Sequence, residues 1–445
     1  MGTEKKTLLK NFTSIGIIQI ANYAFPMITI PIVSRIIGPD KLGVINFSAA
    51  FIAYFTLLIG FGFNLTATRR VASDPNNINN RNTVFSEVFT SQCLLLLTST
   101  ILFVILLFAI PQLENEKRVA IYTFFICLST LMTQDWLFQA MQDLSKIAVL
   151  NLVSKILYTL VILMVIQKKS DYIWQPLVLS LSQVLISLIC FFWAINRYQL
   201  KLYKVEIREC LKLMMNERVV FFSLCIINIY TITNVVILGI FQDSIQVGYF
   251  SSAQKLIQIA LSIISIPLTQ ALFPYIGNAF GKSYEKGIEI AQKLVPLVFI
   301  ITFFVGIVIF IGAPTLVMFF YGRQFLPAIV VCRILAFIPM IISLATICGI
   351  HVMLNLKMDK VFLRATAIGA VFSIVLNILL VKRLGYIGSA FTWILTEALT
   401  LVLLFVLLKK KGISLINWDY FKIPFYKTNF NVLKKSIFSN SRFNK

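Results

Sequence analysis

Asn11-Phe-Thr-Ser-Ile-Gly-Ile-Ile-Gln-Ile-Ala-Asn-Tyr-Ala-Phe-Pro-Met-Ile-Thr-Ile-Pro-Ile-Val33 contains no acidic or basic side chain. About 20 apolar residues in a helix cross the hydrocarbon core of a bilayer. The apolar part of a secretory leader is shorter, about 7 to 15 residues, and small residues at cleavage spacing are not evident after Val33. The run therefore reads as a retained transmembrane helix. The chain as a whole has the same character: of 445 residues, 58% are hydrophobic and only 13% charged, with mean hydropathy +0.87. Soluble domains are nearer 45 to 50% apolar and about 25% charged, so this is an all-α polytopic membrane protein.

Reading apolar runs between charged or turn-forming residues predicts twelve spans. Six begin near Asn11, Leu42, Val84, Val119, Ile147 and Ile173, and six near Arg218, Val247, Lys293, Ala328, Val361 and Ile387. The longest connection falls between the sixth and seventh, dividing the chain into residues 1–196, a connection 197–217, residues 218–411 and a basic, aromatic tail 412–445. With both termini inside, 28 Lys and Arg lie on the inner side and nine on the outer. That asymmetry predicts cytoplasmic termini and makes most of the net charge of +22 a topology signal instead of a nucleic-acid one. In the connection, Ile207, Leu211, Met214 and Met215 lie opposite Glu206, Arg208, Glu209 and Lys212, which predicts an interfacial amphipathic helix. The tail, with Trp418, Phe425 and Tyr426 among its cations, is expected to be solvated or to rest on headgroups.

Several kinds of chemistry are excluded early. One histidine (His351) makes multi-histidine metal sites and His-centred triads poor candidates, and seven cysteines without C-x-x-C spacing read as small hydrophobes. No cofactor and no metal are expected. No G-x-x-x-x-G-K-[ST] loop is present, so transport would be secondary.

Ionisable residues inside spans are the informative ones, because each costs about 2.5 to 3.5 kcal/mol on the insertion scale unless it faces protein or water. Lys255 leads them. Ser251, Lys255, Gln258, Ser262, Ser265 and Thr269 recur at alternating spacings of four and three, one polar stripe along span eight. The stripe suits a water-filled cavity that receives an anion, or else polar helix packing. Span one carries Gln19, Asn22, Pro26 and Thr29, with Pro31 beyond. Its two prolines mark either a hinge or a static kink. Span seven adds Asn228, Thr231 and Asn234, and span five adds Lys155 beside Asn151, Tyr158 and Thr159.

Glu397 is the carboxylate nearest a span centre, a candidate for H⁺ or Na⁺ coupling or for an internal ion pair. Arg35 and Arg69, with Arg70, stand at helix ends, where guanidinium groups either anchor or fork onto phosphate oxygens. Asp135 and His351 lie near cytoplasmic ends, and Arg333 near the outer face reads as a snorkelling residue.

Asn22-Tyr-Ala-Phe-Pro26, Pro31-Ile-Val-Ser-Arg35-Ile-Ile-Gly38, Gly60-Phe-Gly-Phe-Asn64-Leu-Thr-Ala67-Thr-Arg69, Asp135-Trp-Leu-Phe-Gln139, Gly248-Tyr-Phe-Ser-Ser-Ala-Gln-Lys255, Gln270-Ala-Leu-Phe-Pro274 and Gly388-Ser-Ala with Glu397 resemble the Wzx-type O-antigen flippases. The resemblance runs to about Lys411, while Ala140 and Gln142 depart from it, standing where glycine and glutamate are expected. It implies a multidrug and toxic compound extrusion-like fold: two six-helix bundles around a central cavity. It also implies movement of undecaprenyl-diphosphate-linked oligosaccharide to the periplasmic leaflet of a bacterial inner membrane. A short internal echo agrees: Gly43-Val-Ile-Asn-Phe-Ser-Ala and Gly248-Tyr-Phe-Ser-Ser-Ala each open the second helix of a half.

On that reading Lys255, and less directly Arg35, Arg69 and Lys155, receive the diphosphate or an acidic sugar. Asn22, Gln258 and Asn234 hydrogen-bond sugar hydroxyls. The partners are a lipid-linked oligosaccharide, membrane lipids and a polysaccharide polymerase, with no nucleic acid. An ion-coupled drug or cation exporter of the same fold is the rival, although it would place acids where this chain has a lysine stripe. A membrane polymerase or glycosyltransferase is the rival of another class, and it would need larger loops than these.

Overall fold

The computed structural model describes residues 2–421, with side chains described outside residues 2–24, 26, 144–148, 227, 229–231 and 265–271. Among the described residues every regular element is helical. Among the described residues, seven segments are long and apolar enough to cross a membrane: Met27–Ala72, Ile78–Ala109, Lys169–Tyr198, Tyr284–Phe320, Ala328–Met353, Asp359–Leu384 and Tyr386–Lys410. Val149–Val165 and Ile232–Phe241 are shorter apolar helices. The chain is thus a multi-pass membrane protein.

Expected span limits and observed helices differ where local chemistry intervenes. Spans one and two run together as Gly2–Gly60, and the backbone leaves helical geometry at Gly38 (φ 75°, ψ 173°), not at Pro31. The positive φ suits glycine, and an added β-carbon there would lie 2.9 Å from the Gln324 Oε1. Span ten is broken by Pro339 at the start of Ile338–Thr346, and a π-helical turn, Ile347–Met353, follows. The connection after Tyr198 turns at Gln199 (φ 50°, ψ 45°) and has no regular structure from Leu200 through Glu206. Its expected interfacial helix is instead the first part of one continuous helix, Ile207–Phe241, on which Ile207, Leu211 and Met215 remain exposed. Trp418 is exposed as expected, whereas Phe425 and Tyr426 lie outside the described residues.

The chain forms two compact units. The first comprises Met1–Lys255, Ala313–Val331 and Ser373–Thr392. Its core joins Val33, Ile37 and Ile45 to Val119, Ile162 and Ile166, where Gly2–Gly60 packs along Leu144–Val165. Near the Gly38 turn, Lys41 pairs with Glu116 at 2.9 Å, the Tyr172 hydroxyl donates to the same carboxylate at 2.6 Å, and Lys169 pairs with Asp40 at 3.0 Å. The second unit comprises Leu256–Gly312, Cys332–Phe372 and Trp393–Lys445. Ala291, Val295, Leu344, Cys348, Val352 and Leu404 are buried at its core.

Arg81 shows how a buried charge ties a loop. It is 6% exposed, and its guanidinium donates to the Pro75 carbonyl at 3.0 Å and the Tyr198 carbonyl at 2.8 Å. The adjacent Asn82 and Ser86 accept from the Lys201 and Tyr203 amides. Arg81→Met strands those two carbonyls and is expected to destabilise the protein by about 2 kcal/mol. Thermal melts in detergent check this, with Arg70→Met, which loses a partly exposed pair with Glu87, as the milder comparison.

Candidate functional site

Helix Ser244–Lys282 begins, up to Lys255, in the first unit with a closely packed stretch. Val247, Phe250, Ser251, Ser252, Ala253 and Gln254 are all buried, as is Leu256, yet the Lys255 side chain between them is exposed. A lysine exposed within a buried run faces open space. Lys155, on Leu144–Val165, is half-buried and close enough for its charge to act on that of Lys255. Among the described residues the ion pairs are Lys41–Glu116, Arg70–Glu87, Lys169–Asp40 and Lys293–Glu289, so neither Lys155 nor Lys255 is neutralised by a carboxylate. Two like charges held within one low-dielectric region attract an anion strongly, because each raises the potential at the other.

The helix seam around Lys155 is polar. The Ser154 hydroxyl donates to the Ser182 carbonyl at 3.4 Å, and the Gln175 side-chain amide donates to the Tyr158 hydroxyl at 3.1 Å. These contacts fix the face from which Lys155 projects. One turn before Lys255, the Ser251 hydroxyl donates to the Val247 carbonyl at 2.7 Å and accepts from the Asn46 amide at 2.7 Å. Asn46 was not singled out by sequence reasoning as a site residue. Its signal lay in the internal echo, because Asn46 and Ser251 are 205 residues apart, as are Gly43 and Gly248.

The other expected site residues fall elsewhere. Arg35 is exposed, but its Nη2 donates to the carbonyls of Met318 at 3.2 Å and Phe319 at 2.7 Å, at the end of helix Tyr284–Phe320. It caps a helix C-terminus, where a cation is favoured by the helix dipole. Arg69 is exposed in the last turn of Phe63–Ala72, beside the Arg70–Glu87 pair. Gln258 is exposed one turn beyond Lys255. Asn234 does not present its amide to solvent: it is 1% exposed, and its Oδ1 accepts from Asn377 at 2.6 Å, with Ser389 beyond. The side chains of Gln19, Asn22, Pro26, Thr231, Ser265 and Thr269 lie outside the described residues.

Glu397 is buried beside Trp393 and Thr396 in the second unit. His351, expected at an interface, is 1% exposed inside the π-helical turn and packs against Phe273. Arg333 is exposed and lies over the Phe310 ring, 5.6 Å from its centroid.

Asp135 begins the short helix Asp135–Ala140, beside the buried Trp136, Leu137 and Phe138.

Comparison with known proteins supplies the remaining facts. The model of the family described as "Polysaccharide biosynthesis protein" matches residues 8–280. The chain is 26% identical over 409 residues to a putative O-antigen transporter of Escherichia coli (strain K12), covering 91% of this chain and 98% of that one. Among solved structures it is similar to the lipid II flippase MurJ in an inward closed conformation, with TM-score 0.68 and 15% identity over 93% of this chain and 88% of that one. It is equally similar to an inward-facing multidrug resistance MATE family transporter of the MOP superfamily, with TM-score 0.68 and 15% identity over 90% and 98%. The two structural likenesses show the fold, a multidrug and toxic compound extrusion-like helical one.

Proposed function

This chain belongs to the polysaccharide biosynthesis protein family, and from that premise we propose that it is a flippase carrying undecaprenyl-diphosphate-linked oligosaccharide from the cytoplasmic to the periplasmic leaflet. It is a transporter, not an enzyme. The observation that carries the reading is Lys255, left exposed between buried neighbours, with the charge of Lys155 acting in the same region and no carboxylate paired with either among the described residues. A diphosphate satisfies both charges at once, while the polyprenyl chain stays in lipid. Gln258 and Asn22 offer hydrogen bonds to sugar hydroxyls, and Asn234 does so only if its bond to Asn377 opens. Arg69 and the donors of Arg35 not engaged with carbonyls give weaker anion contacts near the helix ends.

The halves 1–196 and 218–411 alternate in access, with the termini cytoplasmic and the membrane a bacterial inner membrane, as the cation asymmetry supports. Glu397, buried in a span, is the candidate for H⁺ or Na⁺ coupling, and a polysaccharide polymerase is the candidate partner for the product. An exporter of cationic drugs is disfavoured by the same lysines, which repel such cargo. Ligand-induced stabilisation of the purified protein separates the two. A polyprenyl-diphosphate-linked saccharide should raise the melting temperature in the wild type and not in Lys255→Gln. Stabilisation by a lipophilic cation alone would favour the exporter.

A further inference from the structure

The chain does not run free after its last spanning segment. Helix Tyr386–Lys410 ends in a Schellman turn: the Ile413 amide donates to the Leu408 carbonyl at 3.0 Å, and Gly412 takes the positive φ of 77° that this turn needs. Ile413 and Leu415 are buried in the core of the second unit with Ala291, Val295 and Leu408, and the Gln292 side-chain amide donates to the Ser414 carbonyl at 2.6 Å. The short turn Trp418–Phe421 then sets the Phe421 ring 6.2 Å from that of Phe299 and places the Tyr420 ring 5.7 Å from the Lys293 ammonium. Residues 412–421 thus form a strap fixed to helix Tyr284–Phe320. Between its fixed points two large apolar groups are exposed: Ile416 at 42% and Trp418 at 73%.

We infer that this strap is a docking surface for the anionic phospholipid headgroups bordering the second unit. It needs only that the chain spans a membrane, and so goes beyond the flippase reading without resting on it. Depth is the first argument. Helix Tyr284–Phe320 has 37 residues, about 55 Å at 1.5 Å per residue, against a hydrocarbon core of about 30 Å. Its excess is about 12 Å at each end, and Gln292 and Lys293, which hold the strap, are among its first ten residues. A tryptophan exposed at that level is in the layer where its amphipathic ring is favoured.

Charge is the second argument, and it selects anionic lipid. Lys409, Lys410 and Lys411 are exposed at the start of the strap, with Asp419 the only acid between Lys409 and Lys445 against nine cations. Each lysine near an anionic leaflet strengthens attachment, over a range set by the Debye length. Rigidity is the third. Ile416 and Trp418 are held by buried neighbours on the strap, so headgroups meet an ordered surface with little left to freeze on binding.

Tryptophan emission tests this. Trp418→Phe is made in the full chain, and the difference between wild type and variant in nanodiscs isolates this residue from the other four tryptophans. At equal mole fraction, brominated phosphatidylglycerol should quench the difference signal about twofold more than brominated phosphatidylcholine. High salt should remove the preference, as should Lys409→Gln, Lys410→Gln and Lys411→Gln together. Equal quenching by the two lipids would overturn the anionic selection. Quenching by aqueous acrylamide alone would show a solvated strap, and quenching by none of the three a ring covered by protein; each overturns the docking surface.

A second measurement needs no fluorescence. Phosphatidylglycerol added to the detergent-purified protein should raise the melting temperature of the wild type more than that of the triple glutamine variant. An equal rise in both would contradict the strap's role. Neither experiment reads translocation, so failure of the flippase reading leaves both results standing.

Discussion

Lys255→Gln is expected to reduce translocation of a lipid-linked oligosaccharide by about 10- to 100-fold, the equivalent of one charge-assisted hydrogen bond to a phosphate oxygen. Lys255→Glu should abolish it, because a carboxylate would pair with Lys155 and close the cationic site. Lys255→Arg should retain most of it. Lys155→Gln should cost less, since Lys155 is half-buried and its removal leaves Lys255 exposed to the anion. Rates in proteoliposomes, normalised to folded protein, give the order. A Lys255→Glu variant as active as the wild type would remove this residue from the account. The same series read with a cationic dye should show no loss at Lys255→Glu.

The second large effect is steric. Gly43→Ala places a methyl 1.7 Å from a backbone oxygen, and Gly248→Ala places one 2.0 Å from another. No side-chain rotation relieves a clash with a main-chain atom, so the two helices must separate. The expected cost is about 1 to 3 kcal/mol for overpacking, together with loss of the Asn46–Ser251 hydrogen bond and of transport. Gly60→Ala and Gly281→Ala meet nothing within 4 Å and serve as controls. In a helix the alanine is intrinsically favoured by about 0.5 to 1 kcal/mol. Melting temperatures that fall for Gly43 and Gly248 and hold or rise for Gly60 and Gly281 match this packing. A uniform response across the four glycines would not.

The helical, polytopic fold was legible because hydropathy over 20 residues is a strong signal and the chain has little else. Helix breaks were less legible. Pro26 and Pro31 drew attention to span one, yet the backbone departs from the helix at Gly38, because a positive φ depends on what the chain must turn toward and not on a missing amide alone. Lys155 and Lys255 were legible as charges where charges are costly. That the charge of one acts on the other was not, since 100 residues separate them in the chain.

Asn234 shows the reverse error. Polar spacing on span seven fitted a cavity wall equally well, but the side chain is buried and its Oδ1 accepts from Asn377 of a distant helix. Arg35 likewise found the carbonyl end of a helix nearly 300 residues away, a partner that its own neighbourhood gives no sign of. Asn46 was hidden because asparagine in an apolar run has no fixed meaning. Only the repeat spacing, compared with the position of Ser251, marks it.

The central claim is that an unneutralised lysine pair passes a diphosphate headgroup across the membrane. Its most direct measurement is protection of a labelled undecaprenyl-diphosphate-linked oligosaccharide from an external glycosidase in proteoliposomes, with and without an imposed H⁺ or Na⁺ gradient. Label should become digestible with the wild type and stay protected with folded Lys255→Glu. Persistent protection with the wild type under every gradient, or equal digestion with both proteins, would contradict it.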